Sequence, residues 1–340
     1  MTQTLTAQAS RPAAPAQRRH QVWGLLAAFG VGMLVAVQSR VNGELGHELG
    51  DGIAAALISF VTGLLLLLVA TALLPRVRAG LGRVVRTVRR PAGRLRWYQC
   101  LGGLAGAFVV ACQSVTVTTL GVAVFTVAVV GGQALSSLLV DRFGVGPAGP
   151  QPLSTLRVVG AVSALGAVLL AVGDRLTHPS GLALAILPAL GGIGTALQQG
   201  INGRVARTAS RDAYGAVAAA IVNFTVGTTA LAVVFAGDLV LRGAPRALPT
   251  DPWLYVGGAC GVAFISLAAA FVRIVGVFVL GLGTIAGQLV GSLVLDLTVP
   301  AADHPVTVPV VAGTTLALAA VVIAALPGLR RQTDPSRSAG

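Results

Sequence analysis

Predominantly apolar residues run along this chain in ten stretches of 17 to 24 residues, joined by Arg-rich and Pro-rich connections. About 20 apolar residues cross the hydrocarbon core of a bilayer as an α-helix, at roughly 1.5 Å per residue. Apolar and polar positions do not alternate, which excludes a transmembrane barrel. We therefore predict an all-α integral membrane protein with ten transmembrane helices, at Val22–Val41, Ile53–Leu74, Tyr98–Thr118, Val122–Val140, Leu156–Val172, Leu182–Gly200, Ala213–Ala236, Trp253–Val272, Val275–Leu295 and Val308–Leu326.

Composition agrees with a membrane protein, because 55% of the residues are hydrophobic and only 10% are charged. Soluble domains carry about 25% charged residues. The three cysteines lie inside apolar stretches without the spacing of a metal site or a disulfide framework. We interpret Cys100, Cys112 and Cys260 as apolar packing residues.

The segments outside the spans are polar. We predict a disordered cytoplasmic tail at 1–21, one five-helix repeat at 22–174, a second at 175–327 and a cytoplasmic tail at 328–340. Because Arg18 and Arg19 precede the first stretch, a cleaved signal peptide is an alternative for Val22–Val41. Its counterpart in the second half is internal, which favours a span.

The distribution of arginine predicts the orientation. All 24 basic residues are Arg, and the net charge is +13. If the N-terminus is inside, 20 of them fall in inside segments and only four outside, at Arg40, Arg175, Arg242 and Arg246. This positive-inside bias predicts that both termini are cytoplasmic. It also explains the basic charge without a nucleic-acid partner. The all-Arg composition, rich in Ala, Gly and Val, is typical of a GC-rich bacterial genome, so we predict a bacterial inner membrane.

The second half of the chain repeats polar and glycine motifs of the first half in the same order. The matched pairs are Gln38-x3-Asn42-Gly43 with Gln198-x3-Asn202-Gly203, Ser59-Phe60-x2-Gly63 with Asn223-Phe224-x2-Gly227, Gly102-Gly103-x2-Gly106 with Gly257-Gly258-x2-Gly261, and Gly132-Gln133-x3-Ser137-x3-Asp141 with Gly287-Gln288-x3-Ser292-x3-Asp296. With five spans in each half, the second half enters the membrane from the opposite side. The repeat is therefore inverted, as in many secondary transporters.

These motifs resemble the drug/metabolite transporter superfamily and, within it, the YdcZ-type inner-membrane exporters. The most specific part is the Gln133-x3-Ser137-x3-Asp141-Arg-Phe-Gly ending of the fourth span, and the likeness covers nearly all of 22–326. Many such proteins resemble a single five-span unit, so this chain resembles two fused units. The second half departs from the pattern, because Leu297-Thr298 follow Asp296. The resemblance implies a transporter without implying a substrate.

Polar side chains at helical spacing are the candidates for a substrate path. Gln133, Ser137 and Asp141 line one face of the fourth helix, and Gln288, Ser292 and Asp296 line the ninth. Such residues either face a wet cavity or hold helices together by hydrogen bonds. For the two aspartates, at the helix ends, we favour solvated end residues. We predict that Gln133 and Gln288 face one central cavity.

The same two helices carry a stripe of small residues at i, i+4 spacing, namely Ala128, Gly132, Ser136, Gly283, Gly287 and Gly291. Small residues allow helix backbones to approach closely. We predict close packing of the fourth helix on the ninth through this stripe.

The first and sixth helices end in equivalent polar pairs, Gln38 with Asn42 and Gln198 with Asn202. For the asparagines, each followed by glycine, we favour a helix C-cap over a gate. The glutamines lie a turn further inside, so we favour the cavity; Ser59 and Asn223 are weaker candidates.

Eight arginines lie between Arg76 and Arg96, some of them at helical spacing among Leu and Val residues. The segment is either a topology signal or a surface helix that binds anionic lipid headgroups. Elsewhere we find no catalytic constellation, no metal site, no embedded carboxylate pair and no phosphate-binding loop, and we predict no cofactor.

We predict a secondary transporter, an exporter of small organic solutes or metabolites working by alternating access. The alternatives are an integral-membrane lipid-active enzyme and a lipid scramblase. The scarcity of embedded Asp, Arg and His counts against the enzyme. The sequence predicts neither the substrate, the coupling ion nor the oligomeric state.

Overall fold

The computed structural model describes residues 15–90, 95–145, 155–172, 179–299 and 306–333, and the regular structure in these ranges is helical throughout. Short 3₁₀ turns occur at Trp97–Cys100 and Pro252–Tyr255. The all-α prediction is confirmed. The α-helices are α1 Pro15–Leu49, α2 Gly52–Leu73, α3 Pro75–Arg89, α4 Gly102–Leu120, α5 Val122–Arg142, α6 Thr155–Val172, α7 Pro179–Ala209, α8 Ala213–Arg242, α9 Gly257–Thr298 and α10 Val308–Thr333.

Membrane-spanning length is clear for much of the bundle. Within the described ranges, five helices are long and apolar enough to cross a membrane, at Gly52–Leu73, Trp97–Leu120, Val122–Val140, Leu184–Ala209 and Ala213–Arg242. Shorter apolar helical segments lie at Val158–Ala171, Gly283–Thr298 and Val308–Ile323. The basic helix α3 falls between the second and third predicted spans.

Helix α9 contains two predicted spans, because its 42 residues would measure about 63 Å if straight, roughly twice the hydrocarbon thickness. Its early contacts with α1 run antiparallel, at Gly257 with Asn42 and Gly261 with Gln38. Its late contacts run parallel, at Gly287 with Phe29 and Gly291 with Met33. The chain therefore reverses direction within α9, so the eighth and ninth spans lie side by side.

Several helix ends have identifiable causes. Gly50, with φ of 62°, ends α1, and Asp51 begins α2 by accepting hydrogen bonds from Ile53 N and Ala54 N at 2.8 and 3.0 Å. Gly121, with φ of 81°, separates α4 from α5. Gly276 stands at the equivalent sequence position of the second half.

Helices α2 and α8 cross at a pair of aromatic rings. Phe60 and Phe224, equivalent under the repeat, have ring centroids 4.9 Å apart. A Cβ on Gly63 would collide with Phe224, and a Cβ on Gly227 would collide with Phe60. Each ring fills the space left by the other half's glycine, so the pseudo-two-fold axis passes close to this contact.

The small-residue stripe packs on different neighbours from those predicted. A Cβ on Gly132 of α5 would collide with Ala189 O of α7, and a Cβ on Gly287 of α9 with Phe29 O of α1. Ser136 donates to Ile193 O of α7 at 3.2 Å. The prediction that the stripe joins the fourth and ninth helices is therefore wrong.

Helices α5 and α9 do meet, but they do so through larger side chains. Val127 and Val130 of α5 share an apolar cluster with Leu289 of α9. The prediction failed because two helices with the same stripe can each pack on a different helix, here α7 and α1, and the spacing of small residues does not specify the partner.

Helix α3 packs on α7 and α8 with its apolar side. Val77 and Val84 are buried, Arg83 Nε donates to Ala209 O at 2.6 Å, and the Arg76 guanidinium lies 5.5 Å from the centre of the Tyr214 ring. Arginines on the remaining face are exposed. We call this end of the bundle the α3 end.

The opposite end of the bundle carries Gly50. Arg246 N, beyond the end of α8, donates to Leu49 O at 3.0 Å, and the 3₁₀ turn Pro252–Tyr255 packs against α1. We call this end the Gly50 end. The Gly50 end corresponds to the segments predicted to lie outside, and the α3 end corresponds to the segments predicted to lie inside.

Candidate functional site: two polar clusters related by the repeat

A buried chain of polar side chains joins α1 to α4 near the Gly50 end. Asn42 Nδ2 donates to Gln113 Oε1 at 2.9 Å, and Gln113 Nε2 donates to Ser39 Oγ at 3.0 Å. Ser39 in turn donates to Val35 O of its own helix at 3.0 Å. Exposure is 2% for Ser39, 0% for Asn42 and 3% for Gln113. We call these three residues the α1–α4 network.

One acceptor in this network is unused. Asn42 Oδ1 is buried and has no hydrogen-bond partner. It points at the backbone of Gly257, where a Cβ would collide with it and would lie 3.0 Å from Ser59 Oγ. Gly257 thus allows an unpaired amide oxygen, a seryl hydroxyl and a helix N-terminus to meet, which is a polar arrangement at membrane depth.

The equivalent cluster lies near the α3 end, between α4, α7 and α8. Gln198 Nε2 donates to Asn223 Oδ1 at 3.0 Å. A Cβ on Gly106 would lie 2.5 Å from Gln198 Nε2, and one on Gly102 would lie 2.8 Å from Asn202 Oδ1. Glycine is therefore required at these two positions of the third span, because amide side chains of α7 occupy the space that a Cβ would need.

The C-cap interpretation of Asn42 and Asn202 is wrong. Helix α1 continues for seven residues beyond Asn42, to Leu49, and α7 continues to Ala209 beyond Asn202. The end of the apolar stretch predicts a helix end at each asparagine, but both helices extend past it into the polar connection. Both asparagines therefore lie two turns inside their helices, beside Gln38 and Gln198 respectively.

The glutamines of the predicted path are not paired with each other. Gln133 Nε2 donates to Gln199 Oε1 of α7 at 3.3 Å. The backbone N of Gln288 lies beside Gly32 of α1, as the backbone N of Gln133 lies beside Gly192 of α7. Whether Gln133 and Gln288 share a cavity stays a prediction.

The two serines of the predicted path bond to their own helices. Ser137 donates to Ala134 O at 2.8 Å, and Ser292 donates to Leu289 O at 2.9 Å. Ser292 is fully buried. In these rotamers the hydroxyl donor of each serine is used within its own helix.

Asp296 is not a solvated end residue, so that interpretation is wrong. It is 5% exposed, and its carboxylate accepts hydrogen bonds from Val122 N at 2.9 Å and Ala123 N at 2.7 Å. It caps the N-terminus of α5, where a negative charge is favoured by the helix dipole. The side chain of Asp141 lies outside the described residues.

Gln113 is the residue that sequence comparison missed. It lies in the middle of an apolar stretch, which is a signal in itself. It has no polar counterpart, since the equivalent residue of the second half is Ala268. A search for repeated motifs therefore passes over it.

The described residues contain no group of three or more His, Cys, Asp or Glu side chains that could hold a metal ion. Cys100, Cys112 and Cys260 are free thiols, and Cys112 Sγ lies 3.7 Å from Leu187 O. The side chains at both clusters are amides and hydroxyls, which donate and accept hydrogen bonds.

Comparison with known proteins identifies the architecture. The family model "Putative inner membrane exporter, YdcZ", of the drug/metabolite transporters, matches residues 23–170 and again residues 183–323. Two matches in one chain confirm the fused-repeat prediction. No curated protein is significantly similar in sequence.

A solved structure, titled "Crystal structure of protein", has the same fold. It aligns over 92% of this chain and 98% of its own length, with a TM-score of 0.50 and 19% identity. At that identity the likeness concerns the fold alone.

Proposed function

Because this chain belongs to the YdcZ family of membrane exporters, we propose that it is a secondary transporter that exports small organic solutes or metabolites by alternating access. The observation that carries the proposal is the pair of equivalent polar clusters at opposite ends of the bundle. Gly102 and Gln113 of α4 belong to different clusters and lie about 16 Å apart along that helix. A solute moving along α4 would meet one cluster and then the other.

Inverted repeats support this mechanism because the halves can exchange conformations. If each half adopts the conformation of the other, a path open at one end becomes a path open at the other, at similar energy. The exchange would take place about the contact of Phe60 with Phe224, where the ring of each half packs on the equivalent glycine of the other half.

We propose that the α3 end is cytoplasmic and that both termini lie there, in a bacterial inner membrane. The arginine asymmetry supports this orientation. The exposed arginines of α3 then lie at the cytoplasmic headgroups, where anionic lipid would be attracted.

The proposal is tested by comparing the medium of cells that carry the wild-type chain with the medium of cells that carry Gln198→Leu, by untargeted mass spectrometry. We expect at least one solute to accumulate outside only with the wild type at matched protein levels. If no solute differs from cells with an empty vector, the export proposal fails.

The alternatives predict other activities for the purified protein. A scramblase would expose fluorescent phosphatidylcholine of the inner leaflet of a vesicle to dithionite. A polyprenyl-phosphate phosphatase would release inorganic phosphate. We expect no phosphate release, because amides and hydroxyls do not supply the acid, base and anion-binding groups that hydrolysis needs. We also expect no scrambling above the level of protein-free vesicles.

A further inference from the structure

The two polar clusters differ in how far they are closed. Near the Gly50 end, Ser39, Asn42 and Gly43 are all buried. Their equivalents near the α3 end are Gln199, which is exposed, and Asn202 and Gly203, which are partly exposed. The same three positions of the repeat are thus sealed at one end and accessible at the other.

The seal consists of close contact between α1 and α4. A Cβ on Gly43 would lie 2.7 Å from Val117 Cβ, and one on Gly46 would collide with Ser114 O. Val117 is 0% exposed. In the middle of this contact, Gln113 bonds to Asn42 and Ser39 of α1 at once.

The second half does not contain the same side chain. Ala268, the equivalent of Gln113, has no polar atom with which to bond α7. Hydrogen bonds between membrane helices stabilise a contact because separated polar groups would face hydrocarbon or require water. The halves therefore differ at this position, because Gln113 bonds α1 whereas Ala268 cannot bond α7 in the same way.

We propose that Gln113 is the latch of the gate at the Gly50 end, and that the structure is the state closed there and open toward the α3 end. This inference rests on the proposed alternating access. The unpaired Asn42 Oδ1 keeps the latch weak, since an unsatisfied buried acceptor raises the energy of the closed state. A weak latch suits a gate that must open in every cycle.

The test measures gate opening directly. Val117→Cys is introduced after Cys100, Cys112 and Cys260 are replaced by Ala, and the purified protein in lipid nanodiscs, where both ends are accessible, is reacted with a water-soluble maleimide. We expect slow labelling with Gln113 present. Gln113→Leu should accelerate it about eightfold, the factor expected for losing two average interhelical hydrogen bonds. Ser39→Ala, which removes one of the two interhelical bonds together with the bond of Ser39 to its own helix, should accelerate it about threefold.

Thr116→Ala is the matched control, because Thr116 is equally buried on α4 but donates within its own helix, to Cys112 O at 2.7 Å. We expect it to leave the labelling rate unchanged. An unchanged rate in Gln113→Leu, or an equal increase in Thr116→Ala, would overturn the latch. If Gln113→Leu does not fold, the Ser39→Ala rate decides alone.

The labelling result is independent of export. If Gln113→Leu does not accelerate labelling while the wild type still releases solute, the latch is rejected and the proposed transport function is not. If Gln113→Leu accelerates labelling but no exported solute is found, the proposed export function is rejected, whereas the role of Gln113 in closing the Gly50 end is supported.

Discussion

At the residue scale, Asp296 joins two distant parts of the chain, because its carboxylate caps a helix that begins 174 residues earlier. Val122 N and Ala123 N follow Gly121 and have no earlier carbonyl within the helix to bond. A buried carboxylate that accepts two backbone N–H groups is a charge-assisted cap in a medium where water is scarce. The ninth span is thereby fixed to the start of the fourth.

We expect Asp296→Ala to lower the free energy of unfolding by about 1–2 kcal/mol, the usual cost of losing an N-cap. The measurement is thermal unfolding of the purified protein in detergent. Asp238→Ala is the control, because it removes an ion pair to the exposed Arg242 at 3.1 Å and should have little effect. Equal melting temperatures for the two variants would contradict the capping role.

Gln133 and Gln288 carry the second prediction at this scale. We expect Gln→Leu at either position to abolish solute release while leaving the melting temperature nearly unchanged, because Leu is well tolerated in lipid. Thr229→Ala removes a hydroxyl that bonds its own helix at 2.8 Å and serves as the control. Unchanged solute release in both Gln variants would show that these residues only hold helices together by hydrogen bonds.

At the scale of helices, the bundle depends on two equivalent crossings, α5 with α7 and α9 with α1. Gly132 meets Ala189 O in the first and Gly287 meets Phe29 O in the second. Gly192 and Gly32 complete the crossings from the opposite helices. Backbones this close leave no room for a Cβ, so glycine is required at each crossing.

We expect Gly132→Leu and Gly287→Leu to disrupt these crossings, each destabilising the protein by about 3 kcal/mol through overpacking. Gly237→Leu is the control, since nothing lies within 4 Å of a Cβ at Gly237. Expression level and melting temperature are the readouts. Normal values for Gly132→Leu or Gly287→Leu would show that these helices separate easily.

The sequence predicts these elements unevenly, and the reasons are physical. Hydrophobic length and repeated glycines predict the spans and the inverted halves, because both are local properties. The partner of the Gly132 stripe, the cap made by Asp296 and the network around Gln113 depend on which helices become neighbours. Repetition points to Gln133 and Gln198, but Gln113 functions through asymmetry and has no repeated counterpart.

At the scale of the whole molecule, the inverted repeat ties topology to mechanism. Five spans per half place equivalent residues at opposite membrane faces, which is why the network around Asn42 and the cluster around Asn202 lie at opposite ends. Helix α3 contacts α7 near Ala209, as expected if the connection after the second span and the end of the sixth are on one side. Contacts within the bundle therefore agree with spans that cross the membrane in alternate directions along the chain.

We expect a membrane-impermeant thiol reagent to label Ser180→Cys from outside the cell and Ser154→Cys only after the membrane is opened. The substitutions are made in a chain with the three native cysteines replaced, so each signal comes from one position. The two positions flank the fifth span, Leu156–Val172, which ends the first half. If Ser154→Cys is labelled from outside and Ser180→Cys is not, the arginine-based orientation is wrong. If both are labelled from the same side, the first half does not contain five spans, the halves are not inverted, and the two polar clusters cannot lie at opposite membrane faces.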